Sequence, residues 1–345
     1  MKALVLKAHE EIILEDVPMP ALADDEVLLK VAACGICGSD LHGYMGHSAR
    51  RSKNLPLIMG HEFTGIVVEY GKRVSAAAKQ AFPIGASVAI NPQYGCGVCK
   101  ACRAGLSHVC PNMTLIGIER AGGMAEYVTA PAHRLFKLPA GLGNVAGSMA
   151  ETLAVEVHLF KRVMTPYTRT VVVLGAGAQG LLAVQLAKAA GAQHIVACDI
   201  VPQRLAMAKK FGATSTVIGN EEDVVKHVMT LTDDWGADLV VEAVGNARLR
   251  QQGGQMLAIG GMLALVGNFN GVTNFDFLPI ITKEQRIFGT YCYTDDDFAR
   301  ALEMIASGQI NVGDMLHTIS LDQSVEYFHR LIEEPGGLMK VAIVP

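Results

Sequence analysis

The sequence predicts an α/β protein in two parts, a β-rich domain followed by a doubly wound parallel sheet. Three observations predict it. The 345 residues exceed what a single hydrophobic core normally serves. The texture of the chain changes near residue 151, from short β-like runs broken by Gly and Pro to longer apolar runs alternating with helical patterns. A glycine string, "GAGAQG" at 175–180, stands between an apolar run and a helical pattern, as the first turn of a dinucleotide-binding unit requires.

In the first part, "EVLLKVAAC", "FTGIVVEYG", "GASVAINP" and "AEYVTAP" read as strands separated by long loops. After residue 151, "TVVVLG", "HIVACDI", "ADLVVEAVG" and "GGMLALVG" are runs of the kind buried on both faces of a parallel sheet. "GLLAVQLAKAAGA" and "PQRLAMAKKFGA" supply crossover helices between them. "QRIFGTY" predicts a further strand, and "DDDFARALEMIASGQI" a helix with acidic residues in its first turn and Gly308 near its end. Gly253 and Gly254 fall inside a predicted helix, which local propensity disfavours. The expected organisation is a first domain over 1–150, a second over 151–290 and a C-terminal segment over 291–345.

Half the residues are hydrophobic and 18% are charged, which excludes a disordered chain. A net charge of −4 provides no global attraction for nucleic acid or an anionic membrane, and neither partner is expected. "MKALVLKAHEEIILED" interrupts its apolar run with charges at once, unlike a secretory leader, so a cytoplasmic location with reduced cysteines is expected. Cys198 and Cys292 each stand alone among apolar residues and read as small buried hydrophobes.

The strongest chemical signal is "CGVCKACRAGLSHVC". Cys96, Cys99, Cys102 and Cys110 offer four thiolates on one loop, the closed shell of a structural zinc, with His108 a bystander. An iron–sulfur cluster is the competing reading. In "GAGAQG", Gly175 permits the tight turn, Gly177 the approach of a pyrophosphate, and Gly180 close packing of helix on strand. Asp199 ends the next predicted strand, where a carboxylate bonds the adenosine ribose and repels a 2′-phosphate, favouring NAD over NADP. Elsewhere "CGICGSDLH" sets Cys34 and Cys37 at redox-like spacing, and "GHEFTG" brings His61 and Glu62. Cysteine, histidine and carboxylate are the mixed donors of an open catalytic zinc. Glu151, in "MAETLAVEVH" at the domain boundary, is another candidate carboxylate.

These stretches together resemble the zinc-dependent medium-chain alcohol dehydrogenase family. The likeness runs nearly end to end, from "MKALVLKAHE" to "KVAIVP", and includes "DIVPQRLAMAKKFGA". It implies a GroES-like catalytic domain, a Rossmann domain inserted into it, and return of the C-terminal segment to the first domain. "MAETLAVEVH" is similar to the polyol branch, the sorbitol and sugar-alcohol dehydrogenases, with Thr152 in place of a proline and Glu156 in place of a glycine. Ala178-Gln179 replaces the usual Pro-Ile of the phosphate loop, and Ala86-Ser87 a frequent Asp-Arg pair.

The resemblance makes Cys37 the zinc ligand and Cys34 a packing residue. It implies two zincs per chain, one catalytic and one structural, and reversible oxidation of a secondary alcohol with NAD. Glu62 is the preferred third ligand, with Glu151 binding directly or orienting the zinc-bound water. A proton relay through Ser39 and His42 follows from the family pattern, although His42 also reads as a surface residue. The likeness adds Gln179 at the pyrophosphate turn and Arg204 near the adenosine ribose. It places Val266, Gly267, Tyr291 and Cys292 along the nicotinamide. In "HSARRSKN", Arg50, Arg51 and Lys53 read as an exposed charged loop or as contacts to a phosphorylated polyol. A homo-oligomer, dimer or tetramer, acting on a small alcohol is the expected assembly. A short diol or L-threonine is the alternative substrate.

Overall fold

The computed structural model describes residues 1–268, 271–333 and 336–345. The chain divides into two compact units. The first comprises Met1–Ala154, Thr294–Gly308 and Val312–Pro345, and the second Val155–Tyr293 with Gln309–Asn311.

The first unit is built around the long strand Glu26–Ile36, buried along almost its whole length, whose Val27, Leu29, Val31, Cys34 and Ile36 join a core with Phe63, Val88 and Val341. One edge of this strand pairs antiparallel with Glu62–Tyr70. Its other edge is shared, Tyr127–Pro131 taking the first half and Lys340–Val344 the last residues. The register sets Gly35 opposite both Glu62 and Ala342. The last strand of the chain thereby reaches the turn that leads to Cys37, and Lys340–Val344 is also flanked by the parallel strand Leu316–Ser320. Lys2–Ala8 forms a smaller antiparallel sheet between Glu11–Asp16 and Leu57–Ile58. The acidic first turn at 295–297 belongs to a helix, Asp295–Ala306, closed at its start by reciprocal bonds between Thr294 and Asp297.

The second unit carries six parallel strands in the order Ser215–Ile218, His194–Asp199, Thr170–Leu174, Ala237–Glu242, Leu257–Leu265, Arg286–Gly289. The order reverses at Thr170–Leu174, and ligands of such sheets bind outside the carboxyl ends of the strands at that switch point. Five of the six strands coincide with the runs read as strands from the sequence. Ser215–Ile218 was not visible in the sequence, because this short outer strand buries only Val217 fully and so carries no apolar run. The two crossover helices read from the sequence are Ala178–Ala189 and Pro202–Phe211, the latter with proline in its first turn and ended by Gly212 at φ +120°. Gly253 and Gly254 lie in the helix Ala247–Gln255, and packing explains them. A Cβ on Gly253 would stand 2.7 Å from Leu263, and one on Gly254 2.8 Å from Phe275. Among the described residues no helix is long and apolar enough to cross a membrane.

Candidate metal and dinucleotide sites

The four-cysteine loop closes on itself. The Sγ atoms of Cys96, Cys99, Cys102 and Cys110 all lie within 4.8 Å of one another. Cys110 is 3.6 Å from Cys96 and 3.7 Å from Cys99. A tetrahedral zinc with Zn–S near 2.3 Å has S···S edges of about 3.8 Å, so the spacing fits one ion. It is far beyond a disulfide, and all four cysteines are free. It is also too tight for sulfurs spread over a multi-iron cluster. Backbone N–H groups of Cys96, Cys102 and Asn112 point at sulfur. The N–H groups of Val98 and Cys99 pull the Cys96 thiol down to about 6, while desolvation lifts Cys102 to about 12. His108 is buried in the turn Ser107–Val109 and stays outside the sulfur set.

The second donor set joins three strand and loop ends of the first unit. Cys37 caps the short helix Gly38–Tyr44, its sulfur accepting from Ser39 N at 3.4 Å while Asp40 accepts from Cys37 N at 3.0 Å. Glu62 begins the Glu62–Tyr70 strand with His61 directly before it, and one donor atom each from Cys37, His61 and Glu62 fall within 4.8 Å of one another. Sulfur, imidazole and carboxylate suit zinc with room for a further ligand. Cys34, by contrast, is fully buried in the core beneath the strand.

Three neighbours complete this set: Asp40 and Lys340 had no role in the sequence reading, and Arg51 had only that of an exposed charge or a contact to a phosphorylated polyol. Asp40, fully buried, stands 3.3 Å from His61 Nδ1 and 2.8 Å from the Arg51 guanidinium. Burial would raise its carboxyl, but His61 and Arg51 hold it at about 2. Burial also works against the His61 imidazolium, yet Asp40 and then Cys37 keep its pKa well above the ordinary value. Lys340 is the third: its buried ammonium pairs with Glu62 Oε2, and Thr152 donates to Glu62 Oε1 at 2.9 Å. Desolvation pulls Lys340 down, but Glu62, Cys37 and Glu151 together raise it. The signal for Asp40 was its place three residues after Cys37, the capping-box spacing. Nothing local pointed to Lys340, which arrives through the pairing of Lys340–Val344 with Glu26–Ile36.

Glu151 is buried in the first turn of the helix Ala150–Val163 and lies outside the three-donor set. Ser39 and His42 sit three apart on the helix Gly38–Tyr44 and so share a face. His42 is exposed, and desolvation, then His47 and Arg51, lowers its pKa. The charged loop divides. Arg50 pairs with Glu119, Lys53 is exposed, and Arg51 is buried rather than exposed as the sequence suggested.

In the second unit the glycine string turns at the switch point of the sheet. Gly175 has φ +96°, a conformation that glycine adopts without strain. Gly177 caps the helix Ala178–Ala189 with open space where a Cβ would stand, leaving its backbone accessible at a helix N-terminus. At Gly180 a Cβ would fall 1.7 Å from Gly175 O, so helix and turn pack as only glycine permits. Gln179 is the second residue of that helix. Asp199, ending its strand, accepts from Ala176 N at 2.7 Å and Val201 N at 2.9 Å, with Arg204 3.8 Å away. Val266 and Gly267 follow the fifth strand of the sheet order, both donating to Glu242 O at 3.0 Å. Tyr291 is exposed, and Cys292, at φ +53° after the last strand of this sheet, is only half-buried rather than buried as Cys198 is, because it lies in the loop past the strand end.

Residues 23–140 match the alcohol dehydrogenase GroES-like domain, and residues 178–307 the zinc-binding dehydrogenase domain. Sorbitol dehydrogenase of Bacillus subtilis (strain 168) is 33% identical over 100% of this chain and 97% of its own. L-threonine 3-dehydrogenase of the same strain is 41% identical over 100% of this chain and 99% of its own. The crystal structure of galactitol-1-phosphate dehydrogenase from Escherichia coli superposes with a TM-score of 0.90 at 26% identity, covering 100% of both chains.

Proposed function

The chain belongs to the zinc-dependent medium-chain alcohol dehydrogenase family, an oxidoreductase of CH–OH groups, and we propose that it oxidises a secondary hydroxyl of a polyol to a ketone, reversibly, with NAD. The observation that carries this reading is the convergence of Cys37, His61 and Glu62 within 4.8 Å. Bound zinc supplies a Lewis acid that lowers the pKa of a substrate hydroxyl, and the nicotinamide takes up the hydride.

The protein's own residues do the rest. Cys37, His61 and Glu62 hold the catalytic ion, and Cys96, Cys99, Cys102 and Cys110 the structural one. Asp40 faces His61 Nδ1, which leaves Nε2 as the ligating nitrogen. Glu62 is drawn toward Lys340, which neutralises part of the charge of the donor set. Ser39 accepts the substrate proton and passes its own toward His42 and solvent. Glu151 orients polar groups of the substrate or water from outside the donor set. In the second unit Gly177, Gln179 and the helix N-terminus would hold the pyrophosphate. Asp199 and Arg204 would bind the adenosine ribose, and Val266, Gly267, Tyr291 and Cys292 would hold the nicotinamide.

A second reading, oxidation of the L-threonine hydroxyl, is favoured by the 41% identity to the threonine enzyme. Initial rates with NAD and NADP against sorbitol, galactitol, galactitol 1-phosphate, 2,3-butanediol and L-threonine decide between them. The highest kcat/KM with a polyol supports the first reading, and the highest with L-threonine replaces it. A cytoplasmic homo-oligomer is part of the proposal. The exposed edge strand Arg286–Gly289 and the apolar residues Phe277, Leu278 and Ile281 just before it support self-association, and the solution mass tests it.

A further inference from the structure

Arg51 is 3% exposed, and a guanidinium is costly to bury unless its donors are matched. It lies in the short turn of helix Ala49–Ser52, anchored where Ser48 Oγ accepts from its backbone N–H at 3.4 Å. Its stem runs over Gly43, where a Cβ would stand 2.5 Å from Arg51 Cδ. The guanidinium then forks. One nitrogen donates to Ser39 O at 2.9 Å, and the other to Ser39 Oγ at 3.2 Å and to Asp40 Oδ1 at 2.8 Å. Asp40 in turn faces His61 Nδ1 and accepts from Cys37 N. One side chain thus reaches the hydroxyl of the proposed proton relay and the carboxylate that orients a metal-binding imidazole.

We propose that Arg51 is a positioning residue for proton transfer, aiming the Ser39 hydroxyl and holding Asp40 against His61. The proposal rests on the dehydrogenase reading given above. A hydroxyl has two acceptor sites and one proton. The Arg51 N–H occupies one acceptor site of Ser39 Oγ, and one acceptor and one proton remain, the minimum for a relay. The substrate O–H breaks as a new H–Oγ bond forms, and the proton Ser39 first held leaves toward His42, one turn along the same face. The hydride goes to the nicotinamide, so charge and protons balance. The N–H also makes Oγ a better proton donor and fixes its direction. A planar fork spans Ser39 and Asp40 together, which a lysine ammonium at the end of a flexible stem does not.

The experiment compares Arg51→Met, Arg51→Lys, Ser39→Ala and the Arg51→Met/Ser39→Ala double variant in zinc-loaded enzyme. Arg51→Met should lower kcat by about 10–100-fold, the range for groups that orient ligands, with KM changed far less. Its solvent deuterium isotope effect on kcat should rise as proton transfer becomes limiting. In the Ser39→Ala background the same change should cost clearly less than in wild type, leaving only the part that Arg51 exerts through Asp40. Independently of any substrate, one of the two zincs should pass to a chromophoric chelator about 10-fold faster in Arg51→Met, and at the wild-type rate in Ser39→Ala. If Arg51→Met fails to fold, Arg51→Lys, which keeps the charge and loses the fork, is read by the same measurements. Unchanged isotope effect with additive losses in the double variant overturns the proposal, as does unaltered zinc release. A wild-type enzyme inactive on every alcohol would overturn the dehydrogenase reading instead, and zinc release would still judge Arg51.

Discussion

Glu156 offers a stability test that follows from burial alone. It lies fully buried in the helix Ala150–Val163, at the position where the polyol branch carries glycine. Desolvation raises its carboxyl from 4.5 to about 8. In the folded protein it is therefore neutral at pH 7, while in the unfolded chain it is ionised. The unfolded state thus releases its proton first as pH rises. The contribution to stability is complete below pH 4.5, falls through the interval up to about 8, and then levels. Each pH unit in that interval costs about 1.4 kcal/mol, so moving from pH 5 to pH 7.5 should cost about 3 kcal/mol. Glu156→Gln keeps the shape of the neutral acid and cannot ionise. Urea unfolding followed by fluorescence at both pH values should show wild type and variant alike at pH 5. At pH 7.5 the variant midpoint should lie about 1 M higher, taking m at roughly 3 kcal/mol per molar. Because both proteins share every other titrating group, the difference between them isolates Glu156. If the gap between their midpoints does not widen with pH, the carboxyl is ionised in the fold and the burial argument fails.

Elemental analysis of active protein should find two zincs per chain. Mild chelation should remove one with loss of turnover while the fold is kept, and a count of one or fewer would defeat the two-site assignment. Glu62→Ala should lose zinc and activity together, whereas Glu151→Ala should retain more metal while losing about 10–100-fold in activity. Full activity and full zinc in Glu151→Ala would remove that residue from the site. Asp199→Ala should weaken NAD binding and narrow the preference over NADP. Because Asp199 also latches Ala176 N at 2.7 Å, the variant should melt at a lower temperature even without cofactor. Better use of NADP than NAD by the unaltered enzyme would show that Asp199 does not face the ribose.

The sequence by itself determined the elements whose chemistry is local. Four cysteines within fifteen residues can meet without help from elsewhere, and their sulfurs converge within 4.8 Å. A glycine string between an apolar run and a helical pattern specifies a tight turn locally, and Gly175, at φ +96°, and Gly180, packed on Gly175 O, have the steric reasons expected of them. Burial on both faces marked four strands of the parallel sheet, and "QRIFGTY" marked the exposed edge strand Arg286–Gly289, whereas Ser215–Ile218, half-buried at the other edge, left no apolar run to read. Gly253 and Gly254, which propensity disfavours, make sense only once Leu263 and Phe275 stand against them.

Tertiary structure decided the surroundings of the mixed donor set. Cys37, His61 and Glu62 meet because Gly35 pairs with Glu62, a register that spacing does not encode. The same sheet brings Lys340 from the end of the chain to Glu62. Arg51 shows the limit most plainly. Between Arg50 and Lys53 it reads as a solvated charge, because exposure is the usual state of such a loop. Only the fold of the helix Gly38–Tyr44 over it, with Gly43 leaving room for its stem, turns that charge inward to Ser39 and Asp40. A charge is burdensome to bury until its partners are in place, and here the partners stand on a separate helix earlier in the chain rather than beside Arg51 in its own loop.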